Sequence, residues 1–158
     1  MALKRLNSEL KQIEKESYYF FSVCPIEDNL YKWDIIMIGP PDSIFEGAII
    51  KAYIEFPHEY PYKPPQLIFN PPIFHPNVYT NGKVCISILH EGIDETNYES
   101  VSERWLPSRS VNSILHSILY MISSPNLDSP ANVDACILCK NDYDAYKKKI
   151  YNMVAISQ

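Results

Sequence analysis

The sequence predicts an α+β fold: an N-terminal helix, a four-stranded antiparallel meander, a long coil and three C-terminal helices. Three observations predict it. Apolar residues recur at helical spacing near the two ends of the chain, residues 18–56 read as strands parted by short turns, and prolines crowd the segment that follows. Short turns between successive strands imply antiparallel pairing, and helices segregated from such a sheet define the class.

Residues 2–16 form the first helix, with Leu3, Leu6, Leu10 and Ile13 on one face and Lys4, Arg5, Glu9, Lys11, Glu14 and Lys15 covering the rest. Strands follow over Tyr18–Cys24 and Tyr31–Ile38, parted by the turn chemistry of Pro25-Ile26-Glu27-Asp28-Asn29. Gly39-Pro40-Pro41-Asp42-Ser43 makes a second turn, Gly47–Phe56 the third strand and Gln66–Phe69 a short fourth. Residues 57–76 hold seven of the thirteen prolines, which lack the ladder donor and fix φ. They alternate with core-type residues such as Tyr60, Leu67, Phe69 and Phe74, so the segment reads as rigid packed coil rather than linker. Tyr60-Pro61 is a candidate cis bond.

Further on, Ser110 reads as an N-cap, after which Val111, Ile114, Leu115, Ile118, Leu119 and Ile122 keep helical spacing until Pro125-Asn126. Ser129-Pro130 opens another helix with proline at its first position. Asp142 caps the last, whose apolar face is Tyr143, Tyr146, Ile150, Met153 and Val154.

The 158 residues suit one domain, 1–158, with enough apolar material (46%) for a core. A net charge of -5 and a pI near 5.3 argue against general nucleic-acid binding, which needs a basic face. The start Met1-Ala2-Leu3-Lys4-Arg5 lacks the apolar core of a signal peptide, and no run reaches the length of a membrane span. The expectation is a cytoplasmic protein, not inserted in a membrane, with its four cysteines as reduced thiols.

The chemically informative stretch is His75-Pro76-Asn77-Val78-Tyr79-Thr80-Asn81-Gly82-Lys83-Val84-Cys85. Asn81-Gly82 is a tight-turn signal, so the chain doubles back and brings the Asn77 amide towards the Cys85 thiol. A thiolate is a strong nucleophile, and an amide donor can stabilise a tetrahedral oxyanion. Taken alone, these residues favour the plainer reading, in which Cys85 is a small core residue and Asn77 a turn residue.

Over its whole length the sequence resembles the ubiquitin-conjugating enzymes. Ala2-Leu3-Lys4-Arg5-Leu6 with Glu9-Leu10 is similar to the family's first helix. Trp33 and Gly39-Pro40-Pro41-Asp42-Ser43 are similar to its second strand and turn, and Tyr60-Pro61-Tyr62-Lys63-Pro64-Pro65 to its proline-aromatic loop. His75-Pro76-Asn77, eight residues before Cys85, matches the active-site signature, and Trp105 with Pro107 a later loop. In the common form of the family the matching tryptophan follows the cysteine closely; here it lies twenty residues on. The inserted residues, about 90–104, carry Glu91, Asp94, Glu95, Tyr98, Glu99 and Glu103 with a single cation, Arg104. This resembles the acidic insertion of the enzymes serving endoplasmic-reticulum-associated degradation, close to the animal G2 type.

The resemblance implies that Cys85 takes ubiquitin from the activating enzyme as a thioester and passes it to a lysine amine with a RING ligase. Degradation-type polyubiquitin chains are the implied product. It implies Asn77 as oxyanion donor or as the residue holding the active-site loop, and a structural role for His75 and Pro76 in that loop rather than a general base at His75. Lysine, with a reference pKa of about 10.4, must be deprotonated and steered, and carboxylates near the thiol help. Asp94, Glu95 and Glu99, with His90 beside the cysteine, are the candidates. Ser129 stands where many relatives place an aspartate at the active-site gate. Lys4, Arg5, Tyr62, Leu106 and Pro107 match the surface for the activating enzyme and ligase, and Ser22 the sheet's back face. No cofactor is implied, since ATP is consumed upstream, and no glycine-rich phosphate loop is found. Any association with the reticulum would come through a partner.

Other features carry less. Cys136-Ile137-Leu138-Cys139 lacks the second ligand pair a zinc site needs, and Cys24 reads as a core thiol. His58 and His116 read as surface or packing residues, and Lys147-Lys148-Lys149 as the exposed side of the last helix. Three other readings compete: a silent variant of the fold, which would lack Cys85; an enzyme for another ubiquitin-like modifier; and a thiol redox protein, for which Cys136 and Cys139 are poorly placed.

Overall fold

The computed structural model describes residues 1–157, and the side chains of residues 1–154. Helix α1 spans Ala2–Glu16, strands β1 to β4 span Phe21–Ile26, Asn29–Ile38, Ile49–Glu55 and Gln66–Phe69, and helices α2 to α4 span Val111–Ser123, Val133–Asn141 and Tyr143–Ser157. The four strands pair in chain order, all antiparallel. This is the α+β architecture expected from the periodicity.

Period-two alternation builds the sheet. Along β2, Trp33, Ile35 and Met37 are buried while Asp34 and Ile36 are exposed. With Ile50, Ile54, Leu67 and Phe69 they form the inner face, covered by Leu6 of α1 and by Ile114 and Ile118 of α2. A one-residue slip would turn that whole face to solvent, so the register is firmly set. Ser22 is exposed on the outer face, opposite Ile36.

Several boundaries move. Strand β1 does not begin at Tyr18; it runs on through Pro25 to Ile26, and only Glu27 and Asp28 form the turn, at φ 46° and 61°. Two successive positive φ values suit the twist of a tight hairpin. Proline is tolerated because β1 is an edge strand. Strand β3 starts at Ile49 rather than Gly47, whose φ of 75° belongs to the preceding turn. Helix α3 starts at Val133, capped by Asn132, whose Oδ1 accepts from the Ala135 N–H at 3.0 Å, and not at Ser129-Pro130. The N–H groups of Ala131 and Asn132 instead donate to Pro76 O at 2.8 and 3.0 Å, which fastens this segment to the active-site loop.

Two faces differ from expectation. On α1, Leu3 is exposed and Glu9 is buried. The Glu9 carboxylate accepts from the Val111 N–H at 2.7 Å, from Arg5 Nε at 3.1 Å and from the Tyr60 hydroxyl, so its burial is compensated. On α4, Tyr146 and Ile150 are buried but Tyr143 is half exposed. Helix α2 has the expected Ser110 cap, reciprocated by Ser113. Cys24 is exposed rather than in the core, and His58 and His116 pack on Tyr31 and on Tyr18 and Phe21. The Tyr60–Pro61 bond is cis, as is Asn70–Pro71, which the sequence did not flag. Among the described residues no helix is long and apolar enough to cross a membrane.

Candidate active site

The segment after β4 hangs on that strand's open edge. Phe69 N–H donates to Gly82 O at 2.8 Å and Val84 N–H to Leu67 O at 2.9 Å. Gly82 sits at φ 94°, and a Cβ there would stand 2.1 Å from Phe69 O, so the turn requires glycine. The chain therefore doubles back, with Val78 bridged to Val84 and the Cys85 N–H on Asn77 O at 2.9 Å.

Asn77 and His75 hold this loop to α2 and the segment behind it. The Asn77 Nδ2 donates to Asn126 O at 2.8 Å and its Oδ1 accepts from Asn126 N–H at 2.9 Å. His75 is fully buried, with Nδ1 accepting from the Asn77 N–H at 3.0 Å. Its other nitrogen must then carry the proton, donating to Met121 O at 3.0 Å. Burial lowers its pKa to about 4, so both nitrogens are committed to structure and the ring is neutral. Pro76 is buried beside it and supplies the carbonyl that anchors residues 131 and 132.

Cys85 is half-buried, and a 3-10 turn over Ser87–Leu89 swings His90 back to it. His90 Nε2 stands 3.5 Å from Cys85 Sγ, while Nδ1 lies 2.9 Å from Glu99 Oε2. Glu99 is held by the Ser87 hydroxyl at 2.8 Å and by Arg104 at 2.6 Å. The Tyr79 hydroxyl approaches Sγ to 3.9 Å. The His90 hydrogen bond draws the Cys85 thiol below its ordinary pKa, against burial and the Glu99 charge, with help from the His90 charge and Tyr79. The His90 pKa is raised, first by its bond to Cys85 and then by Glu99, against burial. Burial pushes the Glu99 carboxyl up, but bonds from His90 and Ser87 and the charges of His90 and Arg104 bring it below the usual range.

A groove of about 420 Å³ opens beside the thiol, lined among others by Asn77, His90, Tyr98, Asn126 and Ser129. The insertion is thus not a uniform acidic loop. His90 reaches the thiol and Glu99 stands behind His90, whereas Asp94 spends its carboxylate on the loop itself. One oxygen accepts from Thr96 N–H and hydroxyl at 2.9 and 2.7 Å, the other from Glu99 N–H at 2.8 Å, which holds its pKa at about 2. Glu95 is exposed at the tip. Sequence reasoning missed Tyr79, Ser87 and the backbone of Asn126 as site components; no periodicity marks them, because Tyr79 and Ser87 meet their partners across irregular loops and Asn126 meets Asn77 from 49 residues away.

Of the residues expected to meet the activating enzyme and ligase, Lys4 and Pro107 are exposed, Leu106 is partly exposed and Tyr62 is 65% exposed. Arg5 is more committed than a free surface cation: it pairs with Glu9 and donates to Arg109 O at 2.8 Å. Among the described residues no cluster of three or more His, Cys, Asp or Glu residues is arranged to hold a metal ion.

The family model described as ubiquitin-conjugating enzyme matches residues 5–154 of the chain. The chain belongs to the ubiquitin-conjugating enzyme family. A Caenorhabditis elegans protein named "Probable ubiquitin-conjugating enzyme E2 7" is 42% identical over 160 residues, covering 100% of this chain and 96% of the relative. Ubiquitin-conjugating enzyme E2 15 of Schizosaccharomyces pombe is 43% identical across 94% of this chain and 90% of its own length. Ubiquitin-conjugating enzyme E2 13 of Arabidopsis thaliana is 44% identical across 97% and 93%. As a ubiquitin-conjugating enzyme, the protein works with ubiquitin, an activating enzyme, a ligase and protein substrates.

Proposed function

We propose that Cys85 accepts ubiquitin from the activating enzyme as a thioester and transfers it to a lysine amine. The observation that carries the reading is the placement of the half-exposed Cys85 thiol, with His90 Nε2 at 3.5 Å, on a groove. Cys24 is exposed without such surroundings, and Cys136 and Cys139 are buried.

Each residue has a stated part. A thiol drawn towards thiolate by His90 attacks the incoming thioester. Asn77 holds the loop by clamping Asn126, and the second N–H of its amide is the candidate oxyanion donor. Glu99 orients His90, which receives the proton of the approaching lysine ammonium once the thiol is acylated. Asp94 acts through Glu99, whose N–H it holds; Glu95 and Ser129 meet the substrate at the rim. Lys4, Tyr62, Leu106 and Pro107 form the surface for the activating enzyme and a RING ligase, with Arg5 shaping it from within, and Ser22 marks a second docking face. The chain, a single catalytic domain, uses no cofactor of its own; ATP is consumed upstream.

The insertion at 90–104 supports placing the enzyme in the acidic-loop subgroup like the animal G2 type. In that reading it builds degradation-type chains and is recruited from the cytoplasm to the reticulum surface by a partner. The test is incubation with activating enzyme, ATP and ubiquitin. An adduct that reductant removes, and that Cys85→Ala abolishes, supports the reading; an adduct that survives Cys85→Ala ends it. Linkage analysis of chains made with a RING ligase decides the finer claim.

A further inference from the structure

The geometry points to a second class of acceptor for the acyl group on Cys85: an aliphatic hydroxyl, as on a serine or threonine side chain. This rests on the reading of Cys85 as the ubiquitin carrier.

Lysine and hydroxyl acceptors ask different things of a site. An ammonium has a pKa of about 10.4, so a modest push leaves a neutral amine that attacks a thioester unaided. A hydroxyl holds its proton almost as tightly as water, about 15.7, and must surrender it to a base as the oxygen attacks. For the first, an acceptor that takes the ammonium proton before the attack suffices. The second needs a fixed imidazole with a free nitrogen at the reacting carbon and a carboxylate behind it.

Those parts are present. With Glu99 Oε2 2.9 Å from Nδ1, that nitrogen carries the proton and Nε2 is left facing Sγ. Glu99 cannot drift, being held at 2.8 Å by Ser87 and 2.6 Å by Arg104. The backbone is fixed too, since Trp105 N–H donates to His90 O at 2.8 Å and Trp105 is buried. In the free enzyme Nε2 is occupied by the thiol. Acylation of Sγ removes that partner and leaves Nε2 beside the thioester carbonyl, with the groove open for a nucleophile.

The step balances without a co-reactant. The hydroxyl oxygen bonds to the carbonyl carbon while its proton passes to His90 Nε2. The C–S bond then breaks, the electrons leave with Cys85 Sγ, and the thiolate recovers the proton from the imidazolium. The products are an oxygen ester of ubiquitin and the free thiol. Because a thioester has the higher acyl-transfer potential, the step runs downhill.

The test uses the full chain charged with ubiquitin, freed of activating enzyme and ATP, and offered Nα-acetyl-lysine or Nα-acetyl-threonine at equal concentration. Mass spectrometry reads the adducts before and after mild alkali, which cleaves the ester and spares the amide. The expected result is both adducts from the wild type, the threonine one alkali-labile. In His90→Gln the threonine adduct falls on the order of 10²-fold, and by more than the lysine adduct does. Charged enzyme that yields the lysine adduct but only free ubiquitin with threonine overturns the inference and leaves the conjugating reading standing. So does a threonine adduct that forms equally well in His90→Gln. A chain that takes no ubiquitin onto Cys85 overturns both.

Discussion

The His90 ring stands between Cys85 and Glu99, 3.5 Å from the thiol on one side and 2.9 Å from the carboxylate on the other. The thiol proton therefore has an acceptor whose cationic form is stabilised from behind. Removing the imidazole leaves burial and the Glu99 charge to act on Cys85 unopposed by their main counterweight. The alkylation midpoint of Cys85 is expected below the ordinary thiol value of about 8.5, and His90→Ala is expected to raise it. Iodoacetamide labelling against pH, followed on the Cys85 peptide, checks this; an unmoved midpoint would show that His90 does not act on the thiol.

Glu99→Gln tests the same relay from its far end. The amide keeps the shape but loses the charge that pairs with Arg104 and holds His90. Discharge of the charged enzyme onto free lysine should fall about tenfold or more, as for a base that has lost its orienting partner. Glu95→Gln, at the exposed tip, should change the rate by less than twofold at high salt, where surface charges are screened.

Asn77 carries two bonds to one residue, Asn126, at 2.8 and 2.9 Å. Asn77→Ala strands a peptide donor and acceptor and should cost about 2 kcal/mol in urea unfolding. Asn77→Asp keeps the acceptor for the Asn126 N–H and loses the donor, so it should recover part of the stability and none of an oxyanion contribution to lysine discharge. Equal recovery of both would confine Asn77 to holding the loop.

His75 gives a pH signature. Its folded pKa is about 4, against about 6.5 in the unfolded chain. Between those values the unfolded state binds the extra proton, so stability is full above about pH 6.5 and is lost as pH falls towards 4. The loss is about 3 kcal/mol for this group. Urea midpoints at pH 7 and pH 5 should differ less in His75→Gln than in the wild type.

What the sequence disclosed was what is local. Ser110 announced α2 and the short segment Gln66–Phe69 was β4 to the residue, because caps and alternation act within a few positions. Pro25 misled, since only the edge position of β1 makes a proline acceptable there. Glu9 misled as well: its partners Tyr60 and Val111 lie 51 and 102 residues away, and nothing near it in the chain foretells burial. The site divides in the same way. The turn at Gly82 ties Asn77 to Cys85 over a short, readable spacing. Among Asp94, Glu95 and Glu99 no pattern distinguishes the carboxylate that faces His90 from one that caps the loop or one that meets solvent.

The central claim is that Cys85 carries the acyl group, and replacing sulfur by oxygen at that one atom tests it most directly. Cys85→Ser, incubated with activating enzyme, ATP and ubiquitin, should yield a one-to-one adduct that survives reductant, is cleaved by mild alkali and maps to residue 85. A reductant-sensitive adduct in Cys85→Ser, or one mapping to Cys24, Cys136 or Cys139, would contradict the account.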